Sequence, residues 1–143
     1  MKGSRVLIVD DEEDFAATLA ERLETRGLRV DVVHSGDAAL GKAKGVHYDA
    51  IVLDLAMPGL DGIETLKRLI ADNPDLQVIL LTGQATVKKS IEAMKHGAMD
   101  LMEKPAKLPE LLDKIQAAAT HKMELVEKRS EDAIAEILRK KGW

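Results

Sequence analysis

Ala50-Ile51-Val52-Leu53-Asp54 decides the fold: four apolar residues in a row, then an acid. An unbroken apolar run of that length reads as a strand covered on both faces, the habit of parallel sheets flanked by helices. The same phrase occurs earlier as Val6-Leu7-Ile8-Val9, again ended by acid, Asp10 and Asp11. Working outward, Arg29 to Val33, Gln77 to Leu81 and Met99 to Met102 give three more short β-branched or apolar runs. Helical periods lie between them. Phe15, Ala16, Leu19, Ala20 and Leu23 form a stripe over 13–26, and Gly27 stands where a helix would close. Ser35 can cap a helix over 36–44. Ile63, Leu66, Leu69 and Ile70 mark a third helix that stops near Asn73-Pro74. A fourth is expected from about Val87 to His96, and a fifth over Leu108 to Val126 with Pro109 in its first turn.

Five βα units in sequence, joined by right-handed crossovers, build an α/β fold: a doubly wound, open parallel sheet with helices on both faces. We place that domain at 4–122 and a C-terminal helical extension at 123–143. The extension is highly charged, yet Ala133, Ile134, Ile137 and Leu138 keep a helical stripe that needs burial against the domain or another chain. Ser130, followed by Glu131 and Asp132, offers a start for a separate helix there.

Composition removes several classes of function. The 143 residues include no cysteine and three aromatics, Phe15, Tyr48 and Trp143. Disulfide scaffolds, thiolate zinc sites and iron–sulfur clusters are excluded. Base-stacking nucleic-acid modules are disfavoured for want of rings. Twenty-one basic and 25 acidic residues leave a net charge of −4, without the basic excess of a phosphate-backbone binder. No apolar run approaches the roughly 18 residues of a membrane span, and the run after Arg5 is too short for a signal peptide. The expectation is a cytoplasmic protein with no membrane or direct nucleic-acid contact.

Ligands of such sheets bind beyond the carboxyl ends of the strands. There the sequence sets Asp10 and Asp11 after the first strand, Asp54 after the third, Thr82 after the fourth, and Lys104-Pro105 after the fifth. Packed carboxylates repel and raise each other's pKa values unless a cation sits among them. Oxygen donors without a histidine or thiolate cluster point to Mg²⁺. Carboxylates with Mg²⁺, a lysine and a hydroxyl suit phosphoryl transfer to Asp54.

Asp10-Asp11, Asp54-Leu55-Ala56-Met57-Pro58-Gly59-Leu60-Asp61-Gly62, Thr82-Gly83 and Lys104-Pro105 together resemble the receiver domain of two-component response regulators, over about residues 4–120. The resemblance implies a flavodoxin-like sheet in the order 2-1-3-4-5. It implies that Asp54 accepts a phosphoryl group from a histidine on a sensor kinase or phosphotransfer protein. It implies that Asp11, Asp54 and the backbone carbonyl of Ala56 bind Mg²⁺ directly, and that Asp10 acts mainly through a metal-bound water. Thr82 would then hydrogen-bond the phosphoryl group, Lys104 would pair with it, and Pro105 would fix the loop through a cis bond. The phosphorylated form would switch a face around the fourth helix and fifth strand, toward a downstream partner or a second copy. The family usually carries Tyr or Phe three residues before Lys-Pro; here it is Leu101. Ala56 and Gln84 hold positions that tune phosphoryl lifetime in the family.

Other readings compete. Glu12, Glu13 and Asp14 read as acids complementing a helix dipole. Met57, Met94, Met99 and Met102 read as core fillers. Gly36 to Lys42 has P-loop spacing, but Ala43 replaces the required Ser/Thr and the interior is helix-forming. A receiver fragment of a larger DNA-binding regulator is the nearest alternative. A Mg²⁺ phosphohydrolase of haloacid-dehalogenase type would want an acid where Ala56 stands. A flavodoxin-like electron carrier would want ring-stacking aromatics near the strand ends.

Overall fold

A computed structural model describes residues 3–57, 61–83 and 87–142. Pro58, Gly59, Leu60, Gln84 and Trp143 therefore lie outside the described residues. The chain alternates β1 (Arg5–Val9), α1 (Glu13–Thr25), β2 (Arg29–Val33), α2 (Gly36–Gly45), β3 (Ala50–Leu53), α3 (Gly62–Asp72), β4 (Val78–Thr82), α4 (Val87–Lys95), β5 (Asp100–Glu103) and α5 (Leu108–Lys140). The five strands form one parallel sheet in the order β2-β1-β3-β4-β5.

Successive strand residues face opposite sides of a sheet, so each apolar run feeds two cores. Val6, Ile8, Val52, Ile79 and Leu81 pack with Leu19 and Leu23 of α1 and Leu111 and Ile115 of α5. Leu7, Val9, Ile51, Leu53 and Leu80 pack with Leu66 and Leu69 of α3 and Ala93 of α4. This explains why the three central strands, β1, β3 and β4, read as unbroken rather than alternating. Met57 and Met102 fill these cores as expected, but Met94 is exposed on α4.

Local signals behave as their chemistry predicts. The Ser35 hydroxyl accepts from the Ala38 amide at 3.1 Å and caps α2. The P-loop-like segment is the body of that helix. Asp61 caps α3 by accepting from the Glu64 amide at 2.8 Å. A β-carbon on Gly62 would lie 2.3 Å from the Leu55 Cα, so only glycine lets α3 start against the segment that follows Asp54.

The C-terminal region corrects one expectation. Ser130 does not open a separate helix: α5 runs without a break for 33 residues, about 50 Å at 1.5 Å per residue. Its acids at 131 and 132 mimic an N-terminal signature. Ser inside a helix costs only roughly 0.5 kcal/mol against Ala, and no Gly or Pro interrupts the run before Gly142, whose φ is +74°. The helix thus continues through position 122, where the boundary between domain and extension was drawn.

Candidate active site

The strand register brings the site together. Val9 lies beside both Val33 and Leu53, and Leu53 lies beside Leu80. The residues after these strands therefore emerge at one edge. Hydrogen bonds carry the ladder one step further: the Asp10 amide donates to the Val33 carbonyl at 3.1 Å and the Asp54 amide to the Val9 carbonyl at 3.0 Å. The main chain of both residues is thus fixed to the sheet, and both are buried. Thr82 ends β4 fully buried, and its carbonyl accepts from the Lys104 amide at 2.9 Å. The Lys104-Pro105 bond is cis.

Lys104 crosses to the acids. Its Nζ lies 2.7 Å from Asp10 Oδ2, 2.9 Å from Glu12 Oε1 and 3.4 Å from Asp54 Oδ2. The side chains of Lys104, Asp10 and Asp54 are 9%, 3% and 3% exposed, whereas Glu12 is 63% exposed. The remaining oxygens are also engaged. Asp10 Oδ1 accepts from the Glu12 amide at 2.9 Å and Asp54 Oδ1 from the Ala56 amide at 3.0 Å. His34 Nδ1 sits 2.9 Å from the Asp10 carbonyl oxygen. The Phe15 ring faces the Lys104 ammonium, 4.5 Å from Nζ to the centroid.

Electrostatics follow from this packing. Burial pushes the Asp10 carboxyl above the ordinary carboxylate range, the Asp54 charge adds to that, and Lys104 and the Glu12 amide pull the other way. For Lys104, burial lowers the ammonium's pKa, but the hydrogen bonds to Asp10 and Glu12 and the charges of Asp10 and Asp54 outweigh it. Its pKa stands above the ordinary lysine value. The ammonium is firmly protonated, yet one positive charge faces three carboxylates.

Among the described residues, the acids whose oxygens lie within 4.8 Å of one another are Asp10, Glu12 and Asp54. Asp11 is not in that group, and Glu12 takes part in its place. The donor set is all oxygen and carries more negative charge than Lys104 balances, which fits a hard divalent cation. Sequence reasoning missed Glu12 and Phe15. Glu12 adjoins the Asp10-Asp11 pair, and that adjacency was the available signal. Leu101 lies on β5 beside Leu80 and packs into the core on the α3–α4 side.

A family model for the response regulator receiver domain matches residues 6–116. The chain belongs to the receiver-domain family of response regulators. Among curated relatives, the receiver is 37% identical over 118 residues to YkoG, a transcriptional regulatory protein of Bacillus subtilis, covering 82% of this chain and 52% of that one. It thus spans about half the length of the curated relatives it matches. Among solved structures it resembles the Francisella response regulator 1452 receiver domain, with a TM-score of 0.76 and 32% identity, covering 82% of this chain and 98% of that one. It also resembles TrrA of Thermotoga maritima, solved with Mg²⁺ and BeF, with a TM-score of 0.74 and 30% identity, covering 80% and 98%. The family match ends inside α5, so the second half of that helix lies beyond it. Several relatives are named as transcriptional regulators. That conflicts in part with the expectation of no direct nucleic-acid contact, which was made of the residues of this chain.

Proposed function

We propose that this receiver is a phosphoaspartyl switch in which Asp54 is the acceptor. The observation that carries the reading is the buried Asp54 carboxylate at the sheet edge, 3.4 Å from a protonated lysine and backed by Asp10. The donor is a phosphohistidine on a sensor kinase or phosphotransfer protein. An Asp54 carboxylate oxygen attacks phosphorus and the P–N bond breaks. The bonding pair returns to the imidazole nitrogen, and Asp54 carries an acyl phosphate. Hydrolysis reverses the state: water attacks phosphorus, the P–O bond to Asp54 breaks, and phosphate leaves. The chain assists both steps on itself and turns over no separate substrate, so it acts as a switch rather than an enzyme.

Mg²⁺, held by Asp10, Asp11, Asp54 and the Ala56 carbonyl, would neutralise the phosphoryl oxygens. Lys104 pairs with another of those oxygens by giving up a carboxylate partner. Thr82 donates its hydroxyl to the phosphoryl group, and Pro105 holds the loop that carries Lys104. Leu101 takes the place of the family's aromatic, so readout falls to the α4 and α5 surfaces. The cytoplasm is the compartment where such kinases present their phosphohistidine.

Acetyl phosphate with Mg²⁺ should add one phosphoryl group to this chain, read by intact mass. Asp54→Asn should abolish it. Full phosphorylation of that variant would refute the assignment.

The extension favours self-association. Met123, Val126, Ile134, Ile137 and Leu138 are exposed on the part of α5 that runs past the family match. Met123, Val126, Ser130, Ala133 and Ile137 fall at three- and four-residue spacing, the seam of a coiled coil. Glu136 and Lys141 stand five apart beside that seam. In a parallel pair each would meet the opposite charge of the other chain.

A further inference from the structure

The first turn of α1 supplies a group that the phosphoryl chemistry above does not use. An ammonium has three donors, and on Lys104 they face oxygens of Asp10, Glu12 and Asp54. The Phe15 ring covers the same ammonium at 4.5 Å. A cation over a ring face within about 6 Å is drawn to it, more strongly when water is excluded. Here water is largely excluded, because Lys104 is nearly buried. Phe15 is half-buried against the core shared by α1 and α5, which restrains the ring. Leucine could fill the same space but has no negative face to offer.

The carboxylates do not settle where the ammonium sits once the switch acts. Glu12 is exposed, Asp54 is the group that becomes phosphorylated, and Asp10, the nearest partner at 2.7 Å, is shared with the cation that the phosphoryl step calls for. The ring contact is the one that neither titrates nor reacts. We infer that Phe15 is a positioning residue for Lys104: its ring holds the ammonium beside Asp54 while carboxylate partners are exchanged for phosphoryl oxygens. The inference rests on Asp54 being the acceptor.

The chain contains a single phenylalanine, so ring chemistry can be altered at this one place without changing shape. Phenylalanines bearing one, three and five ring fluorines at position 15 progressively drain the ring face. Phosphorylation by acetyl phosphate at saturating Mg²⁺ should lose maximal rate stepwise, by about threefold to tenfold across the series. The acetyl phosphate concentration for half-maximal rate and the melting temperature should hold. Phe15→Tyr should behave like the native protein and Phe15→Leu like the fully fluorinated one. The ¹⁹F resonance of the monofluorinated protein should also move when Lys104 is changed to Met. A flat maximal rate across a folded series, or a ¹⁹F signal indifferent to Lys104→Met, would show that Phe15 is only a core filler. Failure of the unsubstituted protein to be phosphorylated would instead remove the acceptor reading and the inference with it.

Discussion

The two edges of the sheet gather polar groups in opposite ways. At the carboxyl edge, among the described residues, Lys104 faces Asp10, Glu12 and Asp54. At the amino edge, the hydroxyl of buried Tyr48 donates to Asp31 at 2.6 Å, and Arg5 lies 3.8 Å from the same carboxylate. The Arg5 amide donates to Asp49 at 2.8 Å, and Lys122 of α5 donates to the Tyr48 carbonyl at 2.6 Å. Two acids there meet two bases, a phenol and a carbonyl, so the cluster is closed. At the opposite edge the ion pairs among the described residues join one base, Lys104, to three acids. Buried groups that need only hold a fold are paired off locally. A surplus of buried negative charge is left at the edge where the proposed cation and phosphoryl group would come.

The largest way to test this contrast is Lys104→Met. It leaves Asp10 buried beside Asp54 without a countercharge, and breaking such a pair costs about 3 kcal/mol. The sign with pH follows from Asp10, whose folded pKa is already raised by burial and would rise further. A group raised in the folded state contributes stability below its unfolded pKa and loses it as pH rises through the folded value. The variant should therefore regain stability as pH falls from 7 toward 5, and Mg²⁺ at pH 7 should restore part of the loss. Urea unfolding at the two pH values, with and without Mg²⁺, reads both effects. A loss independent of pH and Mg²⁺ would mean that the surplus charge is not what Lys104 holds in check.

The closed edge should respond less. Tyr48→Phe removes one hydrogen bond, worth about 1 kcal/mol, since Asp31 is partly exposed and keeps Arg5. Burial, with the hydrogen bond to Asp31 and its charge, raises the Tyr48 pKa above that of a free phenol. Tyr48 is the only tyrosine, so tyrosinate absorbance reports it alone. In the folded protein that signal should stay absent at pH 10, where a free phenol is half ionised. Its contribution to stability is complete below pH 10 and is lost only as pH climbs through the raised value. Titration at an ordinary phenol pKa would show that this edge is open to water.

What could be read in the sequence tracks the same division. The central strands were legible because burial on both faces demands unbroken apolar runs. The places of Asp10, Asp54, Thr82 and Lys104 were legible because each ends or follows a strand at the same edge of the sheet. Glu12 was hidden by its neighbours: dipole complementation explains Glu12, Glu13 and Asp14 equally well. Phe15 was hidden by its period, since a ring four residues before Leu19 satisfies the core stripe, and it is in fact packed there. Only the reach of Lys104 from the far end of the chain, 92 residues from Glu12, gives either one a second role. The unbroken α5 was missed for a different reason. A cap signature is local, whereas a helix ends only when something stops it.

The far half of α5 makes the smallest change to the domain and so isolates the comparison best. Arg129 ties the helix to Asp75 at 3.0 Å, near the amino edge. Every described residue from 130 to 142 is exposed. Deleting 130–143 should leave the urea midpoint and the acetyl phosphate rate unchanged, because neither edge loses a partner. If the Met123 to Ile137 seam pairs two chains, the same deletion should halve the mass measured by light scattering. Ile137→Glu in the full-length chain should do so as well, by placing like charges opposite each other in the seam. A full-length monomer would leave the stripe without a second copy to cover it and would reject the pairing. A dimer that survives both changes would place the interface elsewhere, on the α4 face where Ile91 and Met94 are exposed.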